Sequence, residues 1–246
     1  MKTKMLFLLT FSISFSYAQI NMNSMSDWKD LTALNQMNFN DKQIDLSKVN
    51  GSPLLYNDFK TGKIIEEKKG GEMMEGEIRY NIYKDHFELL MENDRSKAGP
   101  VIKTNQLGFE LEGERFKYFH SPSVLFEKGG APNGYLVIVD ELENDGNKAQ
   151  ILKRYYQIFI PEQKSESSYD TGRPAELKDK TAYYLAINGD YFEIETHKRK
   201  ANNNFPKEVQ SDIKKFIKKN KLKFTGNASE KEDQIRQLVN YYLEII

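Results

Sequence analysis

The chain has 246 residues and no cysteine, and its 36 Lys and Arg balance its 36 Asp and Glu. The absence of cysteine excludes a disulfide scaffold, thiolate catalysis and a cysteine-ligated metal site. The balanced charge gives no overall sign of nucleic-acid binding. A charged fraction of 29% and a mean hydropathy of −0.69 argue against an integral membrane protein.

Residues 1–18 have the organisation of a secretory signal peptide. Lys2 and Lys4 give a positively charged start, and residues 5–15 form an apolar run. Residues 16–18 form a cleavage site with small residues. The apolar run is shorter than the roughly 20 residues that cross a bilayer. We therefore expect cleavage before Gln19, export to the periplasm or the extracellular space, and no transmembrane segment in the mature protein.

The mature chain is expected to have three parts. Residues 19–50 are rich in Asn, Met, Ser and Asp, and we interpret them as an N-terminal lead-in segment in which Ser26 is suited to cap a short helix. An antiparallel β-rich domain is predicted over residues 51–196. A helical hairpin packed on the sheet is predicted over residues 197–246.

Short runs of β-branched and aromatic residues, separated by turn residues, indicate the strands of the β-rich domain. In the clearest run, Ile78, Tyr80 and Ile82 alternate with polar residues, which is the period of a strand with one buried face. The predicted strands are residues 63–66, 77–83, 86–91, 101–104, 109–111, 115–119, 135–139, 150–160, 181–186 and 191–196.

Turn residues divide these strands into hairpins. The predicted tight turns are Lys84-Asp85, Glu112-Gly113 and Asn188-Gly189. The last is the strongest of the three, because Asn and Gly tolerate the positive φ angles of a type I′ turn. Residues 140–148 are predicted to connect the two flanking strands as another hairpin, and the polar residues 161–177 are predicted as a mobile loop.

The last forty residues have the period of helices. Apolar residues recur at helical spacing in two stripes, which are Val209, Ile213, Phe216 and Ile217, and then Ile235, Leu238, Val239 and Tyr242. Pro206 is suited to the first helical position. Ser229 and Glu232 have the spacing of a capping box. The predicted fold class is therefore α+β: a predominantly antiparallel sheet, as an open barrel or sandwich, followed by a two-helix hairpin.

Three segments of the chain resemble a family of exported proteins from Bacteroidota-type bacteria. They are GSPLL at residues 51–55, RYNIYKD at residues 79–85 and DIKKFIKKNKL at residues 212–222. The resemblance runs from about residue 51 to the C-terminus, and it implies lineage and architecture without carrying any catalytic residue across. The chain departs from the family at Leu55, where an aromatic residue is usual, and in its longer loop at residues 161–177.

One acidic segment has part of a calcium-binding pattern. Glu141, Glu143, Asp145 and Gly146 match positions 1, 3, 5 and 6 of an EF-hand loop. Position 12 falls on Leu152, which cannot supply the bidentate carboxylate that the loop requires. We interpret the segment as a charged hairpin tip, and we predict neither a metal nor a cofactor.

The groups that could act in hydrolysis are scattered along the chain. The three histidines, His86, His120 and His197, lack the spacing of a zinc motif. Residues 170–172 match the aspartic-protease tripeptide once, and the serines at residues 165–168 lack a nucleophile elbow. Hydrolysis would gain support if a concave pocket brought together at least two of four residues, namely His86, His120, Asp170 and Arg173.

The most unusual local feature is basic. Residues 197–223 hold ten Lys or Arg against Glu208 and Asp212, a local net charge of +8 in a mature chain whose expected net charge is −2. Four lysines lie opposite the first apolar stripe on a helical wheel, and they are Lys214, Lys215, Lys218 and Lys219. This pattern is typical of a solvated face that complements an acidic body, and the alternative is a face that binds lipid headgroups or a polyanionic glycan.

Taken together, these patterns predict an exported, non-enzymatic β-rich protein that serves as a binding or envelope-associated module. Its candidate partner is an anionic envelope component bound through the basic helix, and no nucleic-acid partner is expected. The alternative is an exported hydrolase whose site forms only in the folded chain, so the sequence leaves enzymatic activity open.

Overall fold

The computed structural model of the protein describes residues 45–67, 71–90, 98–120, 133–165 and 171–246. The predicted signal peptide, most of the lead-in segment and the helix predicted at Ser26 lie outside these ranges. The described chain forms a curled antiparallel sheet of ten strands followed by two helices. The predicted α+β fold class is therefore confirmed.

The sheet consists of a four-strand and a six-strand antiparallel meander, and the first strand of one pairs with the first strand of the other. A 3-10 helix at Leu46–Lys48 precedes β1 (Lys60–Glu66), β2 (Glu72–Asn81), β3 (His86–Leu89), β4 (Gly99–Pro100), β5 (Leu107–Leu111), β6 (Glu114–His120), β7 (Asn133–Asn144), β8 (Asn147–Ile160), β9 (Glu176–Ile187) and β10 (Asp190–Ile194). The strand order is β10-β9-β8-β7-β6-β5-β1-β2-β3-β4. Helices α1 (Gln210–Lys219) and α2 (Ala228–Glu244) follow the last strand.

Aromatic packing across the concave face shows how strongly the sheet is curled. Phe87 on β3 and Tyr135 on β7 are separated in the sheet by four strands, yet their ring centroids lie 5.2 Å apart. Phe87 also stacks on Phe109 of β5, with centroids 4.0 Å apart. Tyr80 and Phe116 complete this cluster at edge-on and tilted angles. Since such contacts need facing side chains, this half of the sheet wraps around a packed aromatic interior.

Residues 50–55 close the curled sheet on itself, and we call them the closing segment. At one end Asn50 accepts the backbone N–H of Leu177 on β9, and at the other Leu55 donates to Tyr80 O on β2, at 2.8 and 2.9 Å. Gly51 has a φ of 97°, and a Cβ there would lie 2.7 Å from Leu177 O, so the position requires glycine. The GSPLL motif thus has a structural role that sequence patterns did not predict.

The two helices cover the concave face at β7–β10. Ile213 and Ile217 of α1 and Ile235 of α2 pack into one core with Ile151 of β8 and Leu185 of β9. Both helices thus pack on the sheet through their apolar stripes. Within the described ranges, no helix is both long and apolar enough to cross a bilayer.

Several predicted strand boundaries were wrong. The strand predicted at residues 101–104 is displaced to the two-residue β4 at Gly99–Pro100. Val101 still donates to Phe87 O at 2.7 Å, and residues 102–104 are not part of the sheet. The hairpin predicted around residues 140–148 is present, but its connection is only the turn Asp145-Gly146, where both residues have positive φ. The polar segment at residues 161–177 is also shorter than predicted, because its last two residues already belong to β9; its residues 166–170 lie outside the described chain.

Both predicted helix starts were displaced. Pro206 lies in a turn that precedes α1, whose N-cap is Val209. The capping box of α2 uses Asn227 and Glu230 in place of the predicted Ser229 and Glu232. Asn227 Oδ1 accepts the backbone N–H of Glu230 at 2.9 Å, which satisfies one of the free N–H groups at the helix start. Glu232 is therefore left for a contact inside the fold.

The predicted tight turns at residues 84–85, 112–113 and 188–189 all connect antiparallel neighbours. At the last of them, Asn188 and Gly189 have φ angles of 50° and 91°. Both values are positive, as a type I′ turn requires. This turn is therefore the best place to test how far turn chemistry stabilises the sheet.

Gly189→Val should destabilise the protein by about 1–2 kcal/mol, because a β-branched residue resists positive φ. No heavy atom lies within 4 Å of a Cβ built at Gly189, so any loss reflects backbone strain and not a clash. Urea unfolding measures the change. Asn188→Gly is the matched control, since glycine accepts the same φ, and it should stay within about 0.5 kcal/mol of the parent. Equal stability of the valine variant and the parent would contradict the turn assignment.

Candidate functional site

The structure places the four predicted lysines together on the outer side of α1. Lys214, Lys215, Lys218 and Lys219 are all exposed, and we call them the lysine face. Residues three and four apart are neighbours on a helix surface, with Cβ atoms roughly 5–6 Å apart. The opposite side of the helix is held in the core, since Ile213 and Ile217 are only 0% and 4% exposed. The four ammonium groups therefore share one solvent-facing surface.

This lysine face is only slightly neutralised by acidic residues. Lys215 forms an ion pair with Asp212 at 2.9 Å, and this hydrogen bond raises the pKa of Lys215 above its usual value. In the part of the chain that the structure describes, no acidic partner is seen for Lys214, Lys218 or Lys219. Three of the four positive charges are thus available to an external anion.

Helix α1 is held against α2 by an aromatic pair. The rings of Phe216 and Tyr241 stack with their centroids 4.1 Å apart and an interplanar angle of 8°. Leu222 and Phe224 of the connection between the helices are also buried in the same core. Because these contacts fix the orientation of α1, the lysine face is a preformed surface.

A buried cation joins α2 to the sheet. The side chain of Lys153 on β8 is 4% exposed and forms ion pairs with Glu114 of β6 and, at 2.8 Å, with Glu232 of α2. Tyr155 donates to Glu114 at 2.8 Å, and Tyr183 donates to Glu232 at 3.2 Å. We call these five residues the Lys153 cluster. It holds two carboxylates, one ammonium group and two phenols, linked in a chain by these ion pairs and hydrogen bonds.

Electrostatics keep this cluster charged. Burial opposes the ionisation of Lys153, but hydrogen bonds to Glu114 and Glu232 outweigh it and raise its pKa. Burial, together with the charge of Glu232, raises the pKa of Tyr183 to about 12. A lysine with so high a pKa is a poor proton donor or nucleophile near neutral pH. The geometry therefore fits a structural ion cluster better than a catalytic one.

The three histidines do not form a site together. His86 is buried on β3 and lies 3.2 Å from Glu88, which also accepts a 2.6 Å hydrogen bond from Arg79. His120 ends β6 and contacts the Tyr118 ring edge-on at 5.1 Å. His197 is exposed in the turns that precede α1. The structure gives no contact between any two of these histidines in the described chain.

The remaining hydrolase candidates are Asp170 and Arg173. Asp170 lies outside the described residues. Arg173 donates to the Gln163 side chain at 2.7 Å and bridges its backbone, so it closes the extended β8–β9 hairpin. Two surface clefts of the described chain, one at the β7–β8 and β9–β10 tips and one at β1, β2 and the β5–β6 turn, are not lined by His86, His120 or Arg173.

The acidic hairpin that resembled a calcium loop is built from strand residues. Glu141 accepts a 2.6 Å hydrogen bond from Gln150 across the hairpin, and Asp140 binds Arg236 of α2 at 2.9 Å. Within the described ranges, no group of three or more His, Cys, Asp or Glu side chains has a metal-binding arrangement. The side chains of this hairpin thus hold the sheet and α2 together.

One buried carboxylate lies inside the curled half of the sheet. Asp85 accepts hydrogen bonds from the Tyr80 hydroxyl at 2.5 Å and from the Tyr135 backbone N–H at 3.1 Å. Burial raises the pKa of Asp85, while Lys103, whose Nζ lies 3.7 Å from its carboxylate, opposes the rise. Asp85 lies in the β2–β3 turn, and its hydrogen bonds therefore connect this turn to β7 inside the aromatic interior.

Comparisons of this chain with protein-family models, curated proteins and solved structures found no match.

The sequence predicted the lysine face because the spacing of its residues is local, but it did not predict the Lys153 cluster. One sequence signal pointed at this cluster, since Lys153 stands between Ile151 and Tyr155 on the inward-facing positions of a strand. A lysine at such a position needs a buried partner. The sequence does not reveal which carboxylate supplies it.

The Glu88 ion pair gives a pH dependence of stability. Burial pushes the pKa of Glu88 up, but hydrogen bonds from His86 and Arg79 outweigh it and lower the pKa to about 2, from an ordinary 4.5. Ionised Glu88 thus stabilises the fold fully above pH 4.5, and this contribution is lost as the pH falls towards 2. Glu88→Gln should cost on the order of 2–3 kcal/mol at pH 7 and less than about half of that at pH 3.

Urea unfolding of both proteins at pH 7 and pH 3 measures this difference. Glu75→Gln is the matched control, because Glu75 is exposed on the neighbouring strand β2. Its effect should stay within about 0.5 kcal/mol at both pH values. A cost of Glu88→Gln that does not change between pH 7 and pH 3 would exclude the ionised pair as its source.

Proposed function

We propose that this chain is an exported, non-enzymatic β-rich module of the Bacteroidota-type lineage, and that it binds an anionic envelope component through the lysine face of α1. The observation that carries the proposal is the outward position of four neighbouring lysines on a helix whose other side is locked in the core. The leader-like residues 1–18 support export.

The distribution of charge favours an external partner over an internal one. If the lysines served only to complement the acidic remainder of the chain, they would form ion pairs with it. In the described structure the only such pair on this face is Lys215 with Asp212, and Asp212 belongs to the same helix. The lysine face therefore projects positive potential into solvent, where it can steer and hold an anion.

The lysine face has no free aromatic side chain on α1 that could anchor it in a bilayer. Phe216 is the aromatic residue nearest to these lysines on α1, and it is stacked on Tyr241 and so is not free to insert into a bilayer. Without an apolar anchor, the contact depends on charge and should weaken as salt rises. The partner is accordingly an anionic headgroup or a polyanionic glycan bound at the surface.

The hydrolase alternative has no comparable support. Among the described residues, the Lys153 cluster brings five ionisable side chains together, and each of them is bonded to another member. Neither surface cleft is lined by a residue of the cluster. We therefore retain the non-enzymatic function as the conclusion.

Changing Lys214, Lys215, Lys218 and Lys219 together to Gln should strongly weaken anion binding and leave the fold intact, because exposed lysines contribute little to stability. Binding is measured by co-sedimentation with vesicles of phosphatidylglycerol in phosphatidylcholine and by retention on an immobilised sulfated glycan. The parent should bind in at least one assay, and the variant should lose on the order of tenfold or more. Binding in one assay and not the other distinguishes a lipid from a glycan source.

The matched control changes the same number of exposed lysines elsewhere, at Lys48, Lys148, Lys164 and Lys178. Both variants lose four positive charges, so only the location differs. The control should retain binding within about threefold, since long-range effects of exposed charges are screened. Failure of the parent to bind in both assays, or an equal loss in both variants, would refute the lysine face as the binding surface.

Parent protein recovered from the cell envelope should begin at Gln19.

A further inference from the structure

A cleft of about 610 Å³ lies on the opposite side of the sheet from the helices. It is formed where the tip of the β7–β8 hairpin meets the β9–β10 hairpin, and Asn188 Nδ2 donates to Asn147 Oδ1 at 3.1 Å between the two tips. The strand register bends just before the cleft, at a β-bulge between Ile138 and Asp140. A bulge increases local twist and bends a strand, which favours a concave surface at this corner.

The centre of the cleft is one row of side chains across four strands. The register pairs Glu141 with Gln150, Gln150 with Ala186, and Ala186 with Tyr191. Directly paired residues project from the same face of a sheet, and neighbouring strands lie roughly 4.8 Å apart. The row therefore presents an acid, an amide, a methyl group and a phenol over a span of about 14 Å.

The small side chain of Ala186 makes the cleft deeper at the centre of this row. Ala186 belongs to an apolar cluster with Leu152 and Tyr184, and Tyr191 packs against the edge of that cluster. A methyl group between the taller Gln150 and Tyr191 leaves a hollow with an aromatic wall on one side and an amide on the other. Such a wall and floor suit the flat apolar face of a small ring.

The polar atoms of the cleft suit hydroxyl groups. The 2.6 Å hydrogen bond from Gln150 Nε2 to Glu141 Oε1 fixes both side chains. A carboxylate and an amide have more donor and acceptor positions than this one bond uses. The Tyr191 hydroxyl has no partner among the residues that the structure describes. The row thus offers fixed donors and acceptors on both sides of an apolar hollow.

The charge of the cleft selects against anions. Glu141 and Glu143 line it against a single cation, Lys148, which lies 3.7 Å from Glu143. A cleft of net negative charge disfavours phosphate, sulfate or uronate groups. Its volume lies within the range of roughly 300–1,000 Å³ that holds small ligands.

We infer that this cleft binds a neutral saccharide, with one sugar ring on the Tyr191 ring above Ala186 and hydroxyl groups bonded to Gln150 and Glu141. The inference rests on the cleft alone and is independent of the lysine face. A saccharide meets the requirements because it combines apolar ring faces with many neutral hydroxyl groups. The protein would then have two separate contact surfaces, one for an anion and one for a neutral glycan.

The test is titration of the parent with cellotetraose, maltotetraose and chitotetraose, monitored by calorimetry and by amide NMR shifts. At least one of the three should bind and should perturb residues of the cleft. Ala186→Leu fills the hollow and Tyr191→Ala removes its wall, and each should weaken binding by roughly tenfold or more. Circular dichroism and urea unfolding confirm that the variants fold.

Two matched controls separate this inference from the proposed anion binding. Tyr156→Ala removes a tyrosine of β8 that does not line the cleft, and it should bind as the parent does. The four-lysine variant of α1 should also retain saccharide binding, while the cleft variants should retain anion binding. Absence of binding by all three saccharides, or binding that Ala186→Leu and Tyr191→Ala leave unchanged, would overturn the inference.

Discussion

The buried ammonium group of Lys153 determines how the two layers of this protein meet. Lys153 projects from β8 into the space between sheet and helices, where an unpaired charge would cost several kcal/mol. Glu114 satisfies it from the sheet and Glu232 from α2, so the helix has to lie where its carboxylate reaches the ammonium group. Arg236, one turn further along α2, binds Asp140 at 2.9 Å and fixes the same orientation. The position of α2 in turn sets that of α1, and thereby the direction of the lysine face.

The same strands line the cleft and support the helices that carry the lysine face, because side chains alternate between the faces of a sheet. On β8, Ile151 and Lys153 point towards the helices, whereas Gln150 points into the cleft. The helix layer is therefore positioned by one set of residues and the cleft by their immediate neighbours. A substitution that disturbs strand register would move both surfaces, whereas side-chain changes on one face leave the other in place.

Local chemistry was predictable from the sequence, and contacts between distant residues were not. The Asn188-Gly189 turn and the lysine face follow from residues within one or two turns of chain, and both are present in the structure. Lys153 is 39 residues from Glu114 and 79 from Glu232, so no periodicity identifies these partners. The closing segment joins β2 to β9 across the curled sheet in the same non-local way. At the start of α2 the sequence contains two adjacent pairs of residues with capping-box spacing. The structure uses Asn227 and Glu230 as the capping box, and Glu232 instead forms an ion pair with Lys153.

A double-mutant cycle on Lys153 and Glu232 tests most directly whether this ion pair ties α2 to the sheet. Urea unfolding of Lys153→Met, Glu232→Gln and the double variant gives their coupling energy. Lys153→Met should cost on the order of 3–5 kcal/mol, because it leaves two carboxylates without their cation. The coupling should lie in the range of about 1–3 kcal/mol that contacting residues show. Effects that add within about 0.5 kcal/mol would contradict the account, since the two side chains would then act independently.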